Sequence, residues 1–162
     1  MHTRAPKQLG DFGEGLVTYT LIRKGFEVAV VDHVGADLIA ERKPHKLAIS
    51  VKTRSFKAAS NESRLTVIEY THIKKLEYFA QRFNLEPVFA QVVSIVDDKI
   101  IHLFIIRIED VKNLTAGKHG YSMNFSKKHL LTFIDLSYID YSSWSNESIG
   151  SKLFGVGNAK IT

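Results

Sequence analysis

A chain of 162 residues can bury about 70% of its unfolded surface, so a single domain over 1–162 with a proper core is expected and a second full domain is not. Hydrophobic residues at 44% and charged residues at 24% exclude extended disorder, and the absence of cysteine excludes disulfides and thiolate metal sites. The formal net charge of +5 admits an anionic partner and says no more.

The opening stretch MHTRAPKQLGDFGEG has no apolar signal-peptide core. The most apolar run, IIHLFII at 100–106, falls far short of the ~20 residues that span a bilayer, so a soluble, cytoplasmic protein is expected. Residues 6–24 place Leu9, Phe12, Leu16 and Tyr19 on one helical stripe, with Gly25 as its stop. Three short β-rich runs follow at 26–33, 36–41 and 46–54, separated by Val34-Gly35 and by an RKPH turn. Together they read as an antiparallel meander. A second helix is predicted over 71–83, with Ile73, Leu76 and Phe83 at helical spacing and Thr71 as N-cap. PVFAQVVSIV and KIIHLFIIRI read as central strands on either side of Asp97-Asp98. Beyond Asp110 the pattern weakens: NLTAGKHG reads as a loop, and LLTFIDLSYIDY suits a strand or a short helix. The aromatic residues Tyr121, Phe125, Tyr138, Tyr141 and Trp144 suit core or dimer packing better than stacking on unpaired bases.

Chemistry concentrates on the third strand. A period of two puts Leu47, Ile49 and Val51 on a core face and Ala48, Ser50 and Lys52 on the other. A hydroxyl beside an ammonium suits a phosphate, although a lone lysine at a strand end also serves simply by snorkelling. An antiparallel return brings Asp37, at the head of strand two, toward Ser50 and Lys52. That carboxylate could hold a hydrated Mg²⁺, or form a plain cross-strand pair with Lys52 worth at most ~1 kcal/mol. Glu14 could reach the same place from the first helix; alternatively, Asp11 to Glu14 form a capping box. From Arg42 to Lys57 the chain carries Arg42, Lys43, Lys46, Lys52, Arg54 and Lys57 with no acid between them. This run suits either phosphate contacts or a solvated edge.

Glu14 in a GxxGE helix, then GAD at 35–37, then SVK at 50–52, followed by a helix and further strands, resembles the PD-(D/E)XK nuclease superfamily. The layout is most similar to its small Holliday-junction-resolvase and restriction-endonuclease-like members. The resemblance covers about residues 8–106 and leaves a C-terminal extension of about 111–162. It implies an α/β restriction-endonuclease-like fold with an αβββαβ core and a mixed central sheet flanked by helices. It further implies a Mg²⁺- or Mn²⁺-dependent DNA endonuclease working as a homodimer. Carried over by position, Asp37 is the metal-binding acid, Lys52 the lysine that positions or activates the attacking water, and Glu14 the auxiliary acid and second metal ligand. Arg42, Lys43, Lys46, Arg54, Lys57 and Arg64 would contact phosphates of duplex or branched DNA.

Ser50 departs from the pattern, since it stands where the family carries an acid. A hydroxyl brings no charge to a divalent cation, so metal affinity falls, another carboxylate compensates, or catalysis is lost. Glu41 lies four residues along its strand from Asp37, roughly 13 Å, too far to share one ion. Glu62 and Glu69 remain, with Glu69 preferred. The alternative function is a catalytically inactive nuclease-fold module that binds nucleic acid or serves in assembly; a structural Asp37/Lys52 pair in a protein-binding domain is a third reading. The seven histidines show no zinc-ligand spacing, and neither a P-loop nor a GxSxG elbow is present.

Overall fold

The computed structural model describes residues 4–56, 64–96 and 98–145. Helix α1 (Arg4–Arg23) leads into a meander of β1 (Glu27–His33), β2 (Ala36–Arg42) and β3 (His45–Phe56). After β4 (Leu65–Glu69) and α2 (Tyr70–Phe83) come β5 (Glu86–Ile95) and β6 (Ile100–Arg107). The rest comprises α3 (Ile108–Val111), β7 (Thr115–Ala116), β8 (Gly120–Asn124), α4 (Lys127–Ile134) and β9 (Ile139–Ser145). Six strands form a mixed sheet in the order β1-β2-β3-β5-β6-β9, in which only β3 and β5 run parallel. A crossover through α2 makes that parallel pair possible, because two parallel neighbours cannot be joined by a hairpin. A smaller sheet holds β4, β8 and β7.

Apolar side chains alternate along the central strands and build a core on each face of the large sheet. On one face Val17 and Leu21 of α1 cover Leu38, Ile49, Val51, Ala90, Val92 and Leu103. On the other, Ile73, Leu76, Phe79 and Ala80 of α2 cover Ala36, Ala48, Phe89 and Val93, and the cluster continues into Phe104, Phe125 and Met123. Each buried Leu, Ile or Phe contributes about 1.5–3 kcal/mol over its exposed state. Ala48 therefore belongs to a core as fully as Leu47 and Ile49 do, and the second face of β3 turns polar only from Ser50 onward.

The α1 stripe read from periodicity is rotated from the buried one. Phe12 and Tyr19 are about half exposed, whereas Gly13, Val17, Thr20 and Leu21 are buried. The reason is steric: a Cβ on Gly13 would stand 1.9 Å from Thr53 Oγ1, so the helix crosses β3 too closely for any larger residue at that point. Helix α1 also begins at Arg4, which places Asp11 and Glu14 well inside it and removes the capping-box reading. Thr71 is likewise inside α2; Glu69 occupies the N-cap position without a side-chain cap.

The described residues beyond 110 are built into the sheet system. LLTFIDLSYIDY divides into the end of α4 and the start of β9, which pairs with β6 from Ile100↔Ser145 to Ile106↔Ile139. The Tyr141 hydroxyl lies 2.9 Å from His102 Nδ1 and ties the two strands. Burial lowers the His102 pKa, against a smaller opposing pull from Asp98. Phe125 is fully buried, and Tyr121, Tyr138 and Tyr141 pack against the same core, which accounts for the aromatic C-terminal third. No described helix is long and apolar enough to cross a membrane.

Candidate active site

The length of β3 creates the site. Strand β2 pairs with it only from Arg42↔His45 to Leu38↔Ile49, while β5 pairs with it from Leu47 to Phe56. From Ser50 onward β3 therefore has an open side. Asp37 closes the first step of that gap: the Val51 N–H donates to Asp37 Oδ2 at 2.6 Å, so a carboxylate stands where the next strand would offer a carbonyl. The register that pairs Leu38 with Ile49 sets Asp37 opposite Ser50. On the far edge, the buried Gln91 side chain donates to the Lys52 carbonyl at 3.0 Å and fixes the strand at the lysine.

Glu14 arrives from α1, positioned by the close crossing at Gly13. Burial, then the charge of Asp37 and that of Asp11, push its carboxyl pKa above the ordinary value, and Lys52 opposes them. Asp37 and Lys52 thus both act on Glu14 across the notch. Because the folded-state pKa is raised, ionising Glu14 costs more in the folded chain than in the unfolded one, above the usual Glu range near 4.3. Glu14→Gln should therefore melt at a higher temperature than the unsubstituted protein at pH 7 in EDTA. The difference should fade as pH drops below about 4. Thermal melts from pH 3.5 to 7 test this, and a lower melting temperature for Glu14→Gln at pH 7 would contradict it.

A cavity of about 190 Å³ opens beside these groups, lined by Val34, Gly35, Asp37, Ser50, Lys52, His72 and Lys75. Its last two residues come from α2 and were not singled out from the sequence. They are held there by Gly35, whose φ is +118° and where a Cβ would meet the Lys75 carbonyl at 2.6 Å. Only glycine lets the β1–β2 turn and α2 come this close. A His and a Lys three apart on a helix share a face, but only the contact with Gly35 shows that this face meets the cavity.

The remaining sequence candidates scatter. Arg42, Lys43 and Lys46 sit at the β2–β3 turn, about 20 Å along the strand from Lys52 at ~3.3 Å per residue. Arg42 is engaged there, with its guanidinium 4.6 Å from the Phe26 ring centroid and Nη1 donating to the Lys24 carbonyl at 2.6 Å. Lys46 pairs with Glu41 at 3.6 Å. The basic run is therefore not one patch, because an extended strand separates its ends. Arg54 is exposed on β3 beyond Lys52 and donates to the Thr53 carbonyl. Arg64 is corrected more sharply: it is 9% exposed, and its Nη1 has no hydrogen-bond partner among the described residues. A guanidinium in that position is not a surface phosphate contact. Lys57 and Glu62 lie outside the described residues. Glu69 is exposed at the head of α2, with Oε2 4.0 Å from His72 Nε2, and does not line the cavity. A larger cleft of about 680 Å³ at the other end of the sheet contains Arg42 but none of Glu14, Asp37, Ser50 and Lys52.

No protein-family model matches the sequence, and no curated protein matches it significantly. Solved structures do. The α/β architecture, with its mixed sheet between helices, is a restriction-endonuclease-like fold. The chain is similar to the Holliday junction resolvase Hjc of Archaeoglobus fulgidus, an archaeal hyperthermophile. Identity is 16% and the TM-score 0.56, over 90% of this chain and 98% of that one. At such identity the likeness is one of fold.

Proposed function

We propose that the protein is a divalent-metal-dependent DNA endonuclease whose site is the notch on β3. The observation that carries this reading is the juxtaposition of Asp37, Glu14 and Lys52 at the open side of the central strand of a restriction-endonuclease-like fold. The donor set fits a hard cation. Two carboxylates on neighbouring elements, joined by no third His, Asp or Glu ligand among the described residues, suit Mg²⁺ or Mn²⁺, which keep several waters and share phosphate oxygens. Asp37 and Glu14 would hold the ion, which when bound supplies charge to the phosphoryl oxygen and acidity to water.

The chain's own groups do the rest. Lys52 sets its ammonium against the negative charge that develops on the phosphoryl oxygens as water attacks phosphorus and the opposite P–O bond breaks. Ser50, opposite Asp37, can donate its hydroxyl to a phosphate oxygen but adds no charge. Asp37 is held rigid by the Val51 N–H, so one of its oxygens is committed and the other remains for the cation. Branched DNA is the substrate favoured by likeness to the resolvase, and a homodimer is the expected assembly.

One observation favours a second reading, a nuclease-fold module that binds DNA without cutting it: Ser50 replaces the family's acid and, among the described residues, no carboxylate joins Asp37 and Glu14 in its place. Calorimetric titration with Mn²⁺ separates the two. The nuclease reading expects saturable binding of one ion per chain, lost in Asp37→Asn and tightened in Ser50→Glu. Absence of binding by the unsubstituted protein, with binding gained by Ser50→Glu, would support the inactive module instead.

A further inference from the structure

A second set of basic side chains faces β3 across the cavity. His72 and Lys75, about one turn apart on α2, form the wall opposite Ser50 and Lys52. The turn between β7 and β8 is fastened to the first turn of the same helix. The Tyr70 N–H donates to the His119 carbonyl at 3.0 Å, and the Tyr70 hydroxyl donates to the Gly117 carbonyl at 3.0 Å. The Tyr70 and Tyr121 rings meet edge to face at 5.3 Å. Lys118 and His119, both exposed, are thus carried on a braced turn beside the residue two places ahead of His72. From Tyr70 to Lys75 the helix rises only about 7.5 Å.

Both lysines of this wall lack an ion-pair partner among the described residues. At the other end of the molecule Lys24 pairs with Asp140, Lys46 with Glu41 and Arg107 with Glu86. Neither Lys75 nor Lys118 has an ion-pair or hydrogen-bond partner among the described residues. Among the described residues the carboxylates near the wall are Asp37, which lines the same cavity, and Glu69, 4.0 Å from His72 Nε2. Unpaired ammonium groups held by backbone hydrogen bonds beside a polar cavity suit a polyanion that occupies both the cavity and the surface next to it.

We infer that His72 and Lys75 of α2, with Lys118 and His119 of the β7–β8 turn, hold the backbone phosphates that flank the one lying over Asp37 and Lys52. The inference rests on the nuclease reading and gives it a direction: the strand runs from the notch along the head of α2 to the small sheet. It also supplies the phosphate contacts that the β2–β3 turn, about 20 Å away, does not bring to the site.

The test is the salt dependence of binding to labelled branched DNA in EDTA, where nothing is cut, between about 50 and 200 mM KCl. Lys75→Ala and Lys118→Ala should each flatten the slope of log K against log salt by about 0.9, and the double variant by about 1.8. Lys24→Ala removes the same charge near the β2–β3 turn and should leave the slope unchanged. All three lysines are outside the core, so melting temperatures should stay close to that of the unsubstituted protein and confirm folding. Binding whose slope is the same in the double variant would overturn the wall and leave the nuclease reading standing. No salt-sensitive binding by the unsubstituted protein would overturn both.

Discussion

Asp37→Asn should lose DNA cleavage by at least about 100-fold while keeping its fold, and Asp37→Ala should lose both cleavage and stability. The distinction follows from the two tasks of one carboxylate. One oxygen accepts the Val51 N–H at 2.6 Å, closing the edge of β3 where β2 has ended. Asparagine keeps a carbonyl oxygen for that bond but brings no charge to a cation. Alanine leaves a half-buried backbone donor unpaired, which costs about 1–3 kcal/mol. For a chain of this size that amounts to roughly 2–4 °C of melting temperature per kcal/mol. Activity and thermal melts on the two variants would separate the tasks. Cleavage retained in Asp37→Asn would remove Asp37 from the chemistry, and equal stability of the two variants would show that the Val51 bond contributes nothing measurable.

Gly35→Ala should lower stability by about 2–4 kcal/mol. Two penalties coincide there. The backbone lies at φ +118°, which side chains other than hydrogen rarely tolerate, and the new Cβ would sit 2.6 Å from the Lys75 carbonyl and 3.3 Å from Phe79 Cβ. A helix backbone cannot step aside as a flexible side chain can, so α2 must shift or the turn must open. Either movement displaces His72 and Lys75 from the cavity, and cleavage should fall together with stability. Gly15→Ala is the matched control. It lies in α1 with nothing within 4 Å of the added Cβ, and it should stabilise the helix by about 0.5–1 kcal/mol. Urea melts of both variants read the opposite signs directly, and an unchanged midpoint for Gly35→Ala would show that α2 is not locked to the β1–β2 turn.

Much of the site was readable because it rests on local alternation. The period of two on β3 separates Ser50 and Lys52 from Ile49 and Val51, and the short GAD turn fixes where Asp37 returns to face them. The face of α1 was not readable in the same way. Periodicity ranks Phe12 and Tyr19 as buried, but helix and sheet approach most closely at the smallest residue, and Gly13 turns the buried face toward Val17 and Leu21. Strands β4 and β8 escaped because their evidence is non-local: Leu65 pairs with Asn124, and each strand is only five residues long. The same holds for His72 and Lys75, which reach the cavity through a contact between Gly35 and a helix that starts 35 residues later. The basic run misled for the opposite reason, because residues adjacent in sequence are spread along the sheet's longest strand. Arg64 looked like a surface cation by type alone, and only its place at the head of β4 reveals its burial.

The most direct measurement is strand scission of supercoiled plasmid and of a labelled branched DNA by the unsubstituted protein and by Asp37→Asn, with Mg²⁺, Mn²⁺ or EDTA. The account predicts cutting that requires the metal, stops in EDTA and is lost in Asp37→Asn. No cutting of either DNA with either metal, or cutting that survives in EDTA or in Asp37→Asn, would contradict it.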